Sequence, residues 1–207
     1  MSKKEAIIRA ATILFSKKGF ENTRMSEISR MTGAAEGTIF YHFKNKEELF
    51  LAILEQFRQE IMNEFDRYLG EMKFQDGMEM LEGSLSFYLS LAARMEDRFL
   101  LLHRHDAYEL ARVNAACKGH LAAVYNGLVD IFEKAIAQGQ ADGSMTAMPP
   151  RKTALIIFSM VDGLVRFNTY ELYDAGSLYY ELIAACRRMV GNERDSRTGE
   201  KGDADAE

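Results

Sequence analysis

The sequence contains little cysteine or proline and no tryptophan: its 207 residues include two cysteines and two prolines. Cys117 and Cys186 lie far apart and outside any C-x-x-C spacing, which excludes a disulfide scaffold and a zinc ribbon and fits a reducing compartment. Because proline interrupts helices, its scarcity favours a mainly helical chain. About 200 residues are enough to bury a core without covalent cross-links.

Long hydrophobic runs are also missing. The amino terminus has no apolar run followed by a small-residue cleavage site, so no secretory signal is predicted. The longest apolar stretch, residues 154–167, is interrupted by Ser159, Asp162 and Arg166. It is shorter than the roughly 20 residues that a membrane-spanning helix needs. We therefore predict a cytoplasmic protein with no membrane partner.

Sequence motifs of common enzymes are absent as well: there is no P-loop, nucleophile elbow or H-E-x-x-H. The one suggestive cluster runs from His103 to Asp106, but His103 and His105 point about 200° apart on a helix and cannot share a site locally. His103 with Asp106, or His105 with Glu109, has suitable spacing. Because such pairs are more often simple hydrogen bonds, we predict no metal, no cofactor and no enzymatic activity. An enzyme that uses His103 and Asp106 is the weaker alternative.

Charge is distributed unevenly along the chain. The formal net charge of the whole chain is −5. Residues 1–46 carry nine lysines and arginines against four glutamates, so the net charge of this segment is +5 and that of the remainder is −10. A basic segment joined to an acidic one indicates that only the amino-terminal part meets a polyanion.

Apolar residues recur every three or four positions through nearly the whole sequence, which is typical of amphipathic helices. We predict an all-α fold of about nine helices, with a three-helix helix-turn-helix head at residues 1–46 and a helical body at 47–190. A disordered tail is predicted at 191–207. Expected local features are a third helix at 36–44 with Ile39, Phe40 and Phe43 in the core, one or two helices at 99–117, a loop at 139–144, and helices at 151–173 and 177–190.

The first fifty residues carry a spaced motif. Its pieces are Ala10-Ala11 with Leu14-Phe15, then Gly19-Phe20-Glu21 with Thr23, Met25 and Ile28, then Gly33 with Gly37-Thr38-Ile39-Phe40-Tyr41-His42-Phe43, and finally Lys44 with Lys46-Glu47-Glu48-Leu49. In this spacing the segment resembles the DNA-binding domain of the tetracycline-repressor (TetR) family of bacterial transcriptional regulators. The resemblance implies a regulator that binds operator DNA and answers to a small molecule.

Candidate DNA contacts lie on the second and third helices. The resemblance implies that Thr23 and Arg24 approach a phosphate at the start of the second helix. It also implies that Gly37, Thr38 and Tyr41 face the major groove, while His42 and Lys46 contact the sugar-phosphate backbone of the DNA. Lys44 follows directly and could bind a phosphate as well. At Ala35 the family often has a capping Ser or Thr, so this position is expected to influence operator preference.

The rest of the chain resembles the family only in its helical layout. The apolar helix at 151–173 and the helix at 177–190 are expected to form a homodimer interface. The effector is predicted to be a small apolar or aromatic molecule that releases a repressor from DNA. Candidate ligand-binding residues are Tyr88, Met95, His103, Asn114, Cys117, Tyr125, Phe158 and Asp162, with ordinary packing as the alternative for each. A helical small-molecule-binding or protein-interaction module that never touches DNA is the alternative function.

Overall fold

The computed structural model describes residues 2–174 and 176–191. They form ten α-helices and a short 3-10 helix, Gly176–Leu178, that precedes the last of them. The helices are α1 (Lys3–Lys18), α2 (Met25–Thr32), α3 (Glu36–His42), α4 (Lys46–Glu71), α5 (Gly77–Arg94), α6 (Glu96–His103), α7 (His105–Val113), α8 (Ala115–Asp142), α9 (Pro150–Thr169) and α10 (Tyr179–Val190). The predicted all-α class is confirmed.

Several helix boundaries differ from the predictions. The region 99–117 contains two separate helices, α6 and α7, and the beginning of α8. The helix α3 ends at His42, two residues early, and α9 ends at Thr169 rather than at 173. Of the tail predicted at 191–207, only Gly191 belongs to the described residues, where it forms an isolated antiparallel bridge with Met145. The remaining residues of that tail lie outside the described part of the chain.

The predicted loop at 139–144 is wrong for its first four residues, because α8 continues through Gly139 to Asp142. A Cβ atom added to Gly77 would lie 2.0 Å from the backbone nitrogen of Gly139. The two backbones therefore approach too closely for any side chain at Gly77. The N–H of Gly77 donates to Asp142 Oδ2 at 2.8 Å, which attaches the start of α5 to the end of α8. Gly139, which suggests a turn in the sequence, instead lies where α8 crosses the start of α5.

The described residues divide into two compact units, which we call the first unit (2–67 and 90–128) and the second unit (68–89, 129–174 and 176–191). The predicted domain boundary after residue 46 does not coincide with this division, because α1 to α3 cluster with most of α4 and with α6 and α7. None of the helices in the described residues combines the length and apolarity that a bilayer span requires.

Each unit has its own aromatic core. In the first unit the rings of Phe15, Phe20 and Phe50 lie 5.3 to 6.0 Å apart between centroids. In the second unit the ring of Tyr88 lies 5.9 Å from that of Phe132 and 5.9 Å from that of Phe158. Such edge-on and tilted aromatic contacts add to the stabilisation that burial of the rings provides.

Candidate nucleic-acid interface

The helix α1 is the support on which α2 and α3 are built. Its amino terminus carries a capping box, in which Glu5 N–H donates to Ser2 Oγ at 3.2 Å and Ser2 N–H donates to Glu5 Oε2 at 2.8 Å. Ile28 of α2 and Ile39 of α3 are completely buried. Because each short helix has its apolar side buried, the opposite side of α3 remains available to solvent.

The turn between α2 and α3 is held by local hydrogen bonds. Gly33 ends α2 with φ 68°, a left-handed conformation that glycine adopts without steric cost. Ser29 Oγ donates to the carbonyl of Ala34 at 2.6 Å, and Ala34 N–H donates to Thr32 Oγ1 at 3.3 Å. These bonds limit the freedom of α3 relative to α2, as a helix-turn-helix requires.

The exposed side of α3 contains most of the predicted groove contacts. Gly37 has open space where a Cβ atom would lie, Thr38 is half-buried, and 84% of Tyr41 is exposed. His42 is half-buried, and its ring lies edge-on to Tyr41 at 5.2 Å between centroids. The structure thus brings Gly37, Thr38 and Tyr41 together on an accessible surface.

Both ends of α3 are also exposed. Ala35 occupies the N-cap position and makes no side-chain cap hydrogen bond. The amino terminus of α3 is therefore not closed by a side chain of Ala35, and a phosphate oxygen could accept from its N–H groups. Lys44, just past the carboxyl end, is exposed to solvent. Phe40, which we expected in the core, is instead 46% exposed because it lies away from the buried Ile39.

Thr23 is placed differently from its predicted role. The residue is 1% exposed. Its hydroxyl lies within hydrogen-bond distance of two carbonyl acceptors, that of Gly19 at 2.8 Å and that of Leu14 at 3.3 Å. A hydroxyl enclosed in this way cannot reach a phosphate, so the structure corrects this expectation: Thr23 stabilises the turn between α1 and α2.

Arg24, in contrast, is exposed and lies at the start of α2. It lines an open hollow of about 480 Å³ together with Asn22, Ser26, Glu27 and Arg30. Glu27 forms an ion pair with Lys18, and this hydrogen bond, with a second from the Arg24 N–H, lowers the pKa of the Glu27 carboxyl. The carboxylate is thus balanced by a cation, which favours an anion in the hollow. Arg30 and Ser26 were missed by the sequence reasoning, although their place on α2, which begins directly after Arg24, offered a signal.

Lys46 is the second predicted contact that the structure corrects. Its ammonium group donates to the carbonyls of Phe20 at 2.6 Å, Thr23 at 3.2 Å and Glu21 at 3.3 Å. It also lies 4.5 Å from the centroid of the Phe20 ring, a cation–π contact. Because an ammonium has three donors, this group is fully used in fastening α4 to the turn that precedes α2.

The cluster at residues 103–106 also serves the turn after α1. Asp106 Oδ2 accepts from Phe20 N–H at 2.7 Å, and Arg104 Nη1 donates to the carbonyl of Ser16 at 3.2 Å. We call these two side chains the Arg104–Asp106 clamp. His103 is buried with its ring 6.2 Å from that of Phe99, while His105 is exposed beside Glu109. Within residues 2–174 and 176–191, no group of three His, Cys, Asp or Glu side chains could hold a metal ion.

The predicted ligand-binding residues are divided between the two units. In the second unit Tyr88, Phe158 and Asp162 come together, and Tyr88 OH donates to Asp162 Oδ1 at 2.6 Å. The first unit contains the other five, namely Met95, His103, Asn114, Cys117 and Tyr125.

Two of these five residues have clear structural roles. Asn114 Oδ1 accepts from Cys117 N–H at 3.0 Å, which caps α8, and Asn114 Nδ2 donates to Glu47 Oε2 at 2.8 Å. Cys117 is fully buried, and burial together with nearby Glu47 raises the pKa of its thiol to about 11. Met95 lines a cleft of about 600 Å³ in the first unit, and the hydroxyl of Tyr125 is hydrogen-bonded to that of Tyr108.

Comparisons with known proteins agree with this architecture. Residues 7–53 match the family model described as bacterial regulatory proteins, tetR family. The HTH-type transcriptional regulator TtgR of Pseudomonas putida is 25% identical over 168 residues, which cover 77% of each chain.

Solved structures share the fold as well. The fatty acid degradation regulator FadR from Bacillus halodurans aligns with a TM-score of 0.75 and 19% identity, covering 90% of this chain and 95% of that chain. FadR from Bacillus subtilis, solved in complex with stearoyl-CoA, aligns with a TM-score of 0.73 and 21% identity, covering 88% and 96%. The amino-terminal residues 7–53 thus match the model of the tetR family of bacterial regulatory proteins, and the helical fold is shared with these solved regulators.

Proposed function

We propose that this protein is a homodimeric transcriptional repressor that binds double-stranded operator DNA in the cytoplasm and is released by a small apolar or aromatic effector. One observation carries this proposal. The buried Ile39 anchors one side of α3 in the core, while Gly37, Thr38 and Tyr41 lie on its solvent-facing side. A helix held in this way fits the major groove, whose width admits one α-helix.

The DNA-binding surface combines two kinds of contact. The guanidinium groups of Arg24 and Arg30 and the ammonium group of Lys44 are exposed and suit phosphate oxygens. Gly37, Thr38 and Tyr41 suit the base edges, because they lie on the side of α3 that faces away from the core. His42, beside Tyr41, suits the DNA backbone. Thr23 and Lys46 contribute indirectly, by fixing the start of α2.

The dimer interface is proposed on α9 and α10 of the second unit. Leu155 and Ile156 are 45% and 54% exposed, and with Ser159 and Met160 they line a shallow hollow of about 350 Å³. Phe167 continues the same side of α9 three turns later and is 43% exposed. A twofold partner would cover this apolar stripe with its own copy. The dimer would then present two α3 helices to half-sites roughly 34–36 Å apart.

The effector is proposed to bind within the helical body and to favour a dimer geometry that does not fit the operator. The aromatic cluster of Tyr88, Phe132 and Phe158, with the carboxylate of Asp162 as its polar group, supports an apolar or aromatic effector in the second unit. FadR from Bacillus subtilis was solved with stearoyl-CoA, whose acyl chain is consistent with an apolar effector in this fold. Release requires differential affinity for the two dimer states, a coupling of about 1–3 kcal/mol.

Binding to labelled duplexes from the region flanking the protein's own gene tests the DNA-binding function directly. We expect sequence-specific binding whose logarithm falls linearly with the logarithm of salt concentration, because phosphate contacts release counterions. If the dimer neutralises about six phosphates, the association constant should fall roughly 1,000-fold between about 50 and 200 mM salt. Fluorescence anisotropy measures both effects. An affinity that does not change with salt concentration, or that is equal for unrelated DNA, would favour the alternative function, a small-molecule-binding or protein-interaction module that does not act on DNA.

A matched pair of lysine variants separates direct DNA contacts from structural ones. Lys44→Met should leave the melting temperature unchanged and reduce the salt slope by about 2, since each protomer of the dimer loses one phosphate contact. Lys46→Met should lower the free energy of unfolding by about 2 kcal/mol, because three carbonyls lose a charged donor. Circular dichroism melts and anisotropy titrations measure the two effects. The assignment of Lys46 is wrong if its variant melts like the wild type while losing about two units of salt slope, one for each protomer.

A further inference from the structure

Phe40 is an apolar residue of α3 whose exposure the helix-turn-helix packing does not explain. The buried side of α3 consists of Ile39, followed by Phe43 just past the helix end, and they are 0% and 2% exposed. Phe40, between them in sequence, keeps 46% of its surface exposed. Its ring makes no aromatic contact within the residues that the structure describes. Moving apolar surface from water into an apolar contact is favourable, so a partner that covers the exposed part of Phe40 would gain binding free energy.

The position of Phe40 on the helix identifies what would cover it. Gly37, Phe40 and Tyr41 stand at i, i+3 and i+4, so they share one face of α3. Gly37 presents no side chain and has open space around it, which lets a surface approach α3 closely at this point. A groove that receives Tyr41 therefore also receives the ring of Phe40.

The chemistry of the ring then narrows the contact. A phenyl ring has no hydrogen-bond donor or acceptor, so it cannot pair with a phosphate oxygen or with the polar edge of a base. In the major groove the apolar feature of the bases is the C5-methyl group of thymine, which suits a phenylalanine side chain. Resting on the DNA-binding function proposed above, we infer that Phe40 is a specificity-determining residue that recognises thymine through its methyl group.

Deoxyuridine provides a direct test, because it differs from thymidine only by that methyl group. The probe is a duplex selected from a random pool by the wild-type dimer, with each thymine replaced in turn by deoxyuridine. We expect one thymine per half-site at which replacement weakens wild-type binding about fourfold, the effect of withdrawing one methyl group from an apolar contact. Replacement in both half-sites should weaken binding roughly fifteenfold.

Phe40→Ala completes a double-mutant cycle. The variant should bind the thymine and deoxyuridine duplexes equally at that position, because the partner of the methyl group is gone. Val113→Ala, which alters an 85% exposed apolar residue on α7, serves as the matched control and should keep the full discrimination. Circular dichroism confirms that each variant is folded. Since the test compares two DNA probes on the same protein, a modest loss of stability does not affect the result.

The outcomes separate the two proposals. Specific binding with no thymine sensitive to replacement, or with the same sensitivity in Phe40→Ala, overturns the role of Phe40 and leaves the repressor function intact. A uniform loss of affinity in Phe40→Ala at every position also overturns it, because the ring would then contact the sugar-phosphate backbone. Failure to select any specific duplex overturns the proposed function and this inference together.

Discussion

Replacing Ile156 by aspartate is expected to yield a folded monomer that binds operator DNA about 100-fold more weakly than the wild type. Ile156 is 54% exposed in the single chain, so the carboxylate remains hydrated there and the fold of the second unit changes little. In a twofold interface the substitution places a charge in each of the two apolar surfaces, and burying unpaired carboxylates is costly. The loss of DNA affinity follows because two linked half-site contacts become independent, and such linkage contributes about 10²–10⁴ in affinity.

Analytical ultracentrifugation at micromolar concentration and anisotropy titrations measure the two effects of Ile156→Asp. Val113→Asp provides the control, because Val113 is an exposed apolar residue on α7, outside the proposed interface. That variant should remain a dimer with normal DNA affinity. A dimeric Ile156→Asp protein would show that the apolar side of α9 is not the interface. A wild-type protein that is itself monomeric would contradict the homodimer as a whole.

Replacing Gly19 by alanine is expected to lower the free energy of unfolding by about 3 kcal/mol. Gly19 has φ 93° and ψ 157°, a conformation that is open essentially to glycine alone and costs other residues about 1–3 kcal/mol. A Cβ atom there would lie 2.5 Å from Asp106 Oδ2 and 2.8 Å from Arg104 Nη2. The Arg104–Asp106 clamp would have to move, which would weaken the hydrogen bond from Phe20 N–H to Asp106. The corresponding drop in melting temperature is about 6–12 °C.

Urea denaturation followed by circular dichroism checks the effect of Gly19→Ala, and Gly37→Ala is its matched control. Gly37 is helical, and open space surrounds the position of its missing Cβ atom. Alanine at position 37 should therefore leave stability unchanged or raise it by about 0.5–1 kcal/mol, since alanine favours helix. Its effect should appear in DNA affinity instead. Equal stability of Gly19→Ala and the wild type would mean that the clamp is not a rigid contact.

Several features of the fold could be predicted because they arise from neighbouring residues. Each of the first four helical segments has apolar residues at helical spacing. One residue from each series is Ile7, Ile28, Ile39 and Leu54, and all four are fully buried. A glycine between two short helical segments predicts a turn, and Gly33 adopts φ 68° at that place. Helical periodicity and turn chemistry act over three or four residues, so the local sequence contains the information needed.

Other roles could not be predicted, because the partners lie far away in sequence. The sequence indicates that Lys46 is a cation near DNA, whereas three carbonyls contributed by residues 20–23 occupy its ammonium group. Thr23 has the residue type of a phosphate ligand, but the close packing of the turn encloses its hydroxyl. Asp106 looks like part of a histidine site and instead accepts a backbone N–H 86 positions away in the chain.

The amino-acid order alone was sufficient to predict an all-α fold with a basic helix-turn-helix at its amino terminus, since helical periodicity, turn glycines and local charge are properties of short segments. Tertiary structure decided which polar groups remain available to a ligand. An ammonium, a hydroxyl or a carboxylate is consumed or left exposed according to which distant backbone groups fold against it, and that pairing exists only once the helices have packed.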